Sequence, residues 1–253
     1  MDWGQLGASG AQNGDAGGSA PKPDSALSEL PPRDPTALVR TVRERLRLAI
    51  VRMEIPEGTR LNQVQVAKQL GVSRMPVRAA ITDLLAEGLL EPIGSGGVAV
   101  RTLSERDMRD VYEVRMALES QAVRHVAERR SATGLARVER VLADHRSRVA
   151  DYDASQLLVV DREFHTALLD ATENPHFRRA IVPLWAVIER AMFGMLGIPE
   201  IAARAWNEHE EIAAAVLAGD PDVAERALCR HLAMAADDLA KVMPRRDGLV
   251  ANS

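Results

Sequence analysis

The stretch Leu61-Asn62-Gln63-Val64-Gln65-Val66-Ala67-Lys68-Gln69-Leu70-Gly71-Val72-Ser73-Arg74-Met75-Pro76-Val77-Arg78 decides how the rest of this chain is read. Its first part has the pattern of a short helix with Val66, Ala67 and Leu70 turned inward. The helix stops at Gly71, a residue suited to the left-handed conformation just past a helix end. Ser73 then stands where an N-cap is needed. Pro76 falls in the first turn of the following helix, where a missing N–H costs little. That helix runs from Arg74 to Glu87 with Val77, Ile81, Leu84 and Leu85 inward, and Gly88 ends it. Two helices joined by a tight glycine turn form a helix-turn-helix unit.

Upstream, from Pro35, Leu38, Val42, Leu46 and Ile50 recur every fourth residue and make one apolar stripe. Arg40, Arg43, Arg45 and Arg47 lie off it, and Ile55-Pro56-Glu57-Gly58 closes this helix in a turn. Downstream, two short β segments, Leu89–Ile93 and Val98–Arg101, flank the reversal Gly94-Ser95-Gly96-Gly97. Three helices and a two-stranded wing make a winged helix-turn-helix over residues 35–103. The major groove of B-DNA admits one α-helix, whose N-terminal residues reach the base edges. Here those residues are Ser73, Arg74, Pro76 and Arg78, and the two arginines, four apart, share one face on which they can pair with guanine or clamp phosphate.

The charge agrees with such a role. The chain of 253 residues carries a formal net charge of −4. Residues 35–103 hold ten Lys/Arg against six Asp/Glu, whereas residues 104–243 hold 18 against 24. A basic front and an acidic rear suit a protein that docks one end on a polyanion. Residues 1–34 and 244–253 read as disordered tails, the first rich in Gly, Ala, Ser, Pro and Asp. Membrane spans and a signal peptide are not expected, and a single cysteine, Cys229, allows no internal disulfide, so the cytoplasm is expected.

Aromatic residues make up only 3% of the chain, so Ala, Leu, Val and Met fill the core, which favours packed helices. From Ser104 to Met243 the pattern is helix after helix, and six are expected: about 104–130, 132–150, 154–173, 175–196, 199–218 and 221–243. The fold class is thus mostly α, a winged helix-turn-helix followed by an all-helical antiparallel bundle.

The rear domain carries the sharper chemistry. Asp161 and His165, at i and i+4, stack a carboxylate and an imidazole on one helical face. His209 and His231 each lie beside an apolar stripe on later helices. Brought together, the four would suit a borderline divalent metal; kept apart, they are satisfied core residues. His125, His145 and His176 have no partner at ligand spacing and read as surface or structural. Arg115 falls on the buried stripe Met108, Val111, Tyr112, Leu118 and Ala122. A buried guanidinium needs a partner, either an internal acid such as Asp161 or the carboxylate of a bound ligand. A helical metalloenzyme using the Asp/His set as a Lewis acid is the alternative reading, and the sequence offers it no clear general base.

The opening stretch, continued by Leu84-Leu85-Ala86-Glu87-Gly88-Leu89-Leu90-Glu91, resembles the N-terminal domain of GntR-family regulators over about 35–103. The resemblance implies double-stranded operator DNA bound by a homodimer, with Arg74 and Arg78 at the usual contacting positions. Three departures stand out: Ala79 replaces a usual glutamate, Val64 replaces an arginine of some members, and the wing tip lacks a basic residue. Residues 104–243 resemble the FCD ligand-binding domain of the FadR branch through Asp161-x-x-Phe164-His165, Glu208-His209, Gly219-Asp220-Pro221 and Arg230-His231-Leu232. This implies zinc or another divalent metal on Asp161, His165, His209 and His231. It also implies a small carboxylate effector held by Arg115, from the pattern Glu113-Val114-Arg115. Six rear helices rather than seven point to the VanR-like subgroup. The function so implied is that of a metabolite-responsive transcription regulator, a repressor.

Overall fold

The computed structural model describes residues 35–94 and 96–243, so both tails read as disordered lie outside the described residues. The chain divides into two units, the first ending at Thr102 and the second beginning at Leu103.

In the first unit, α1 (Pro35–Val51), α2 (Gln63–Gln69) and α3 (Arg74–Ala86) precede strands β1 (Leu90–Ile93) and β2 (Gly97–Val100). Val42, Leu46 and Ile50 of α1 are fully buried against Val77, Ile81 and Leu84 of α3, so the four-residue stripe does face the core. Asn62 caps α2 by accepting from the backbone N–H of Val64 and Gln65. Gly71 follows α2 at φ +65°, a conformation that L side chains rarely adopt, and this permits the sharp turn into α3. β1 and β2 pair antiparallel, Leu90 opposite Val100 and Ile93 opposite Gly97. The segment before α2 adds to this wing through the Arg60–Ala99 bridge.

The second unit holds α4 (Glu105–Arg129), α5 (Ala132–His145), α6 (Ala154–Ala171), α7 (Pro175–Ile181), α8 (Trp185–Leu196), α9 (Pro199–Ala218) and α10 (Pro221–Val242). α4 packs along α10, α10 against α9, α5 against α6, and α6 against α8 and α4. Two capping boxes start their helices: Ser104 with Asp107 for α4, and Asp153 with Gln156 for α6. Phe164, Leu168, Ile188, Ile212, Val216, Leu228 and Leu232 fill the interior.

The single helix expected over 175–196 is broken. Val182–Leu184 forms a 3₁₀ turn between α7 and α8. Pro183 explains it, because its ring removes one helical N–H and crowds the carbonyl four residues back. The apolar pattern runs straight through the break, with Ile181, Trp185 and Ile188 all buried, so periodicity gives no warning. Likewise α5 stops at His145, and Val149–Asp151 is a separate 3₁₀ turn. The second unit therefore has seven α-helices among the described residues where six were expected, unless α7 and α8 are counted as one bent helix.

Candidate DNA-binding surface and metal centre

Ser73, Arg74, Met75 and Arg78 are exposed along the N-terminal part of α3, while Pro76 and Val77 are buried. Pro76, grouped from sequence with the contacting residues, thus points into the domain; what it does is shape the first turn of α3. Ser73 occupies the N-cap position in extended conformation, but its side chain makes no capping bond. The residue is exposed, and the first-turn N–H groups of a helix have no intrahelical acceptor, so an anion is favoured at this end. Arg74 and Arg78 make no ion pair among the described residues, unlike Arg43 and Arg47 of α1, which turn to Glu87.

The wing tip has no basic residue of its own, yet a guanidinium lies on it. A Cβ at Gly97 would come within 2.8 Å of Arg60 Nη2, so glycine is what lets the Arg60 side chain lie across β2. Arg60 is itself exposed and without an ion pair among the described residues. Sequence reasoning passed over Arg60 because it precedes α2 and joins the wing only through strand pairing.

In the second unit, Asp161 and His165 of α6, His209 of α9 and His231 of α10 are all buried, and one potential ligand atom from each lies within 4.8 Å of the others. Nε2 of His209 and of His165 sit 3.5 and 3.8 Å from Oδ1 of Asp161. Asp161 Oδ1, His165 Nε2 and both nitrogens of His209 are buried without a hydrogen-bond partner. Several unsatisfied polar atoms facing one point are costly unless something fills that point. A divalent ion, with bonds of roughly 2.0–2.2 Å to nitrogen and oxygen, needs this kind of gathering of imidazole and carboxylate donors. The donor set fits such an ion, which would supply positive charge to a cluster where Asp161, Glu119 and Glu208 outnumber the guanidiniums of Arg115 and Arg204.

Burial above all, reinforced by the neighbouring imidazoles, pushes His209 well below the ordinary histidine value and His231 below it as well. Both rings are therefore held neutral, the form that ligates metal.

Arg115 is 1% exposed. Its internal acid is Glu119 rather than the Asp161 expected from sequence: Nε donates to Glu119 Oε1 at 2.8 Å. Its guanidinium also lies 5.0 Å from the ring of Tyr112 and 5.2 Å from that of Trp185. Nη2 is buried without a partner. Burial opposes ionisation of Glu119, but Arg115 and His165 outweigh it and hold the carboxyl at about 2. Burial raises the Tyr112 hydroxyl to about 12.

Glu119 was not singled out from sequence, and Glu208 entered only within the Glu208-His209 motif, with no role of its own. Glu119 sits four residues after Arg115, and Glu208 four after Arg204, a spacing that signals side-chain pairing on a helix. The other histidines stand apart: His145 bonds Tyr152 and Glu163, and His125 lies against Phe177.

The profile of bacterial regulatory proteins of the gntR family matches residues 38–100, and that of the FCD domain matches residues 110–234. A probable D-xylose utilization operon transcriptional repressor of Paenarthrobacter nicotinovorans is 31% identical over 202 residues, covering 78% of this chain and 87% of that protein. A putative L-lactate dehydrogenase operon regulatory protein of Escherichia coli K12 is 28% identical over 222 residues, covering 78% and 84%. Among solved structures, a putative GntR transcriptional regulator from Rhodococcus sp. RHA1 superimposes with a TM-score of 0.68 at 25% identity, covering 82% of this chain and all of that one. With exposed arginines on a helix-turn-helix, a wing, and an FCD domain behind them, the chain belongs to the GntR family of bacterial regulatory proteins and is a DNA-binding transcription regulator.

Proposed function

We propose that the protein is a metabolite-responsive repressor that binds operator DNA as a homodimer and senses a small carboxylate beside a divalent metal, zinc in the first instance. Arg74 and Arg78 read or clamp the major groove from α3, Ser73 and the first turn of α3 take a phosphate, and Arg60 supplies the cation that the wing tip lacks. Asp161, His165, His209 and His231 hold the metal, and Arg115 offers Nη2 to the effector carboxylate. Boundaries near residues 35–103 and 104–243 separate the two tasks. A repressor's role has support in the name of the Paenarthrobacter relative, and a carboxylate effector in the L-lactate dehydrogenase operon that the Escherichia relative's name gives as its target. A VanR-like place within the FadR branch rests on counting α7 and α8 as one bent helix.

The observation that carries this reading is the convergence of Asp161, His165, His209 and His231 with unpartnered donor atoms inside an FCD domain. Binding of the effector shifts the dimer between DNA-competent and incompetent arrangements through its differential affinity for them. The test is a thermal-shift survey of small organic acids on the zinc-loaded protein, followed by titration of any stabilising acid into an operator complex. An acid that releases DNA from the wild type but not from Arg115→Ala supports the reading; an acid that releases both equally rejects Arg115 as the effector contact.

A further inference from the structure

Two of the three histidines in the cluster have a carboxylate behind Nδ1, and each carboxylate has an arginine one turn before it on its own helix, hydrogen-bonded in one case and ion-paired in the other. On α4, Arg115 and Glu119 stand one turn apart. Glu119 Oε1 accepts from Arg115 Nε at 2.8 Å, and Oε2 lies 2.6 Å from Nδ1 of His165 on α6. On α9, Arg204 and Glu208 also stand one turn apart. Glu208 Oε1 lies 3.3 Å from Arg204 Nε, and Oε2 lies 2.8 Å from Nδ1 of His231 on α10. Each assembly is an arginine, a glutamate and a histidine of another helix, in that order. His209 has no such support, and both its nitrogens are buried without a partner.

An ionised carboxylate only accepts hydrogen bonds, so the proton of each neutral ring must sit on Nδ1, which leaves Nε2 with its lone pair. Nε2 of His165 is one of the unpartnered atoms facing the cluster. We infer that Glu119 and Glu208 are positioning residues that fix His165 and His231 in the Nδ1–H form and make Nε2 their ligating atom for a divalent cation, while His209 is oriented by ring packing on Phe164 instead. This rests on the reading of the cluster as a metal site. The arginines stand against the two carboxylates in different settings: Arg115 in full burial, Arg204 at the edge, where it also pairs with Asp238. A negative charge behind an imidazole raises its basicity, and removing such a support costs about 10–100-fold in metal affinity. The deeper pair is less screened by water, so Glu119 contributes more than Glu208.

Two measurements on the full-length protein test this. Long-range ¹⁵N–¹H correlation spectra of the metal-free wild type above about pH 8, where histidines are neutral, report the tautomers directly and need no variant in order to fold. Assignment comes from the loss of one ring pattern in His165→Ala and another in His231→Ala. Both rings are expected in the Nδ1–H form; an Nε2–H pattern for either overturns the inference. Cobalt(II) titration followed by visible absorption then compares wild type with Glu119→Gln and Glu208→Gln. One ion per chain with about 10–100-fold weaker binding is expected for each variant, the larger loss for Glu119→Gln. Unchanged affinity in both variants overturns the inference and leaves the metal site standing. A wild type that takes up no cobalt instead overturns the metal reading beneath it.

Discussion

Glu119→Gln takes away a charge that meets both Arg115 and His165 in the interior of the second unit. A carboxyl held at about 2 rather than 4.5 corresponds to about 3 kcal/mol in favour of its charged form, at ~1.4 kcal/mol per pH unit. Because the folded value lies below the unfolded one, that stability is fully present above about pH 4.5 and is lost as pH falls through about 2. The variant also strands Arg115, which is 1% exposed, and breaking a buried pair from one side costs about 3–5 kcal/mol. Arg115→Met strands Glu119 and is expected to cost the same order. The double variant Arg115→Met/Glu119→Gln strands neither charge, so it should be more stable than the sum of the single losses allows, by about 2 kcal/mol or more. Urea unfolding of the full chain in the presence of a chelator, followed by the fluorescence of Trp185 and Trp206, reads the second unit. Single losses that simply add in the double variant would refute the claim that the two groups are energetically one.

Three further outcomes are expected. Arg78→Ala should lose about 1–3 kcal/mol of operator affinity in gel shifts at fixed salt, with no change in melting because the residue is exposed; unchanged affinity would remove α3 as the reading helix. Footprinting should show an inverted repeat whose half-sites lie roughly 10 bp apart between centres, and a strict monomer at micromolar concentration would contradict it. His209 and His231 titrate below the ordinary histidine value when folded but normally when unfolded. The metal-free second unit should therefore lose stability as pH drops below about 6.5, by up to about 1.4 kcal/mol per pH unit for each ring; melting that is flat from about pH 7.5 to about pH 5.5 would show that burial does not hold them neutral.

Much of this is legible in the chain. The stripe of Val42, Leu46 and Ile50, the glycine past α2, and the capping box at Ser104 are local signals, and local physics decides them. The recognition helix followed from its cap position, yet the Ser73 hydroxyl turned out to make no cap bond, and Pro76 turned out buried, since sequence marks position in a turn but not which side faces the core. The break at Pro183 was hidden by apolar spacing that suits a 3₁₀ turn as well as an α-helix. Asp161 and His165 could be paired from their spacing, but the approach of α9 and α10 depends on packing between helices that no spacing encodes. Glu119 stands four residues from Arg115, a spacing that marks a helical pair but does not say which acid a buried guanidinium takes. Arg60 joins the wing by strand pairing across an intervening helix-turn-helix, which leaves no local trace.

On the proposed reading, Asp161, His165, His209 and His231 form one site for one divalent ion. Elemental analysis of the purified full-length protein, dialysed after exposure to zinc, tests it directly, alongside His165→Ala and Asp161→Ala brought through the same steps. One equivalent per chain is expected in the wild type and a loss of stoichiometric metal in both variants, with operator binding still measurable. Stoichiometric zinc retained by His165→Ala, or a wild type that holds none, would contradict it.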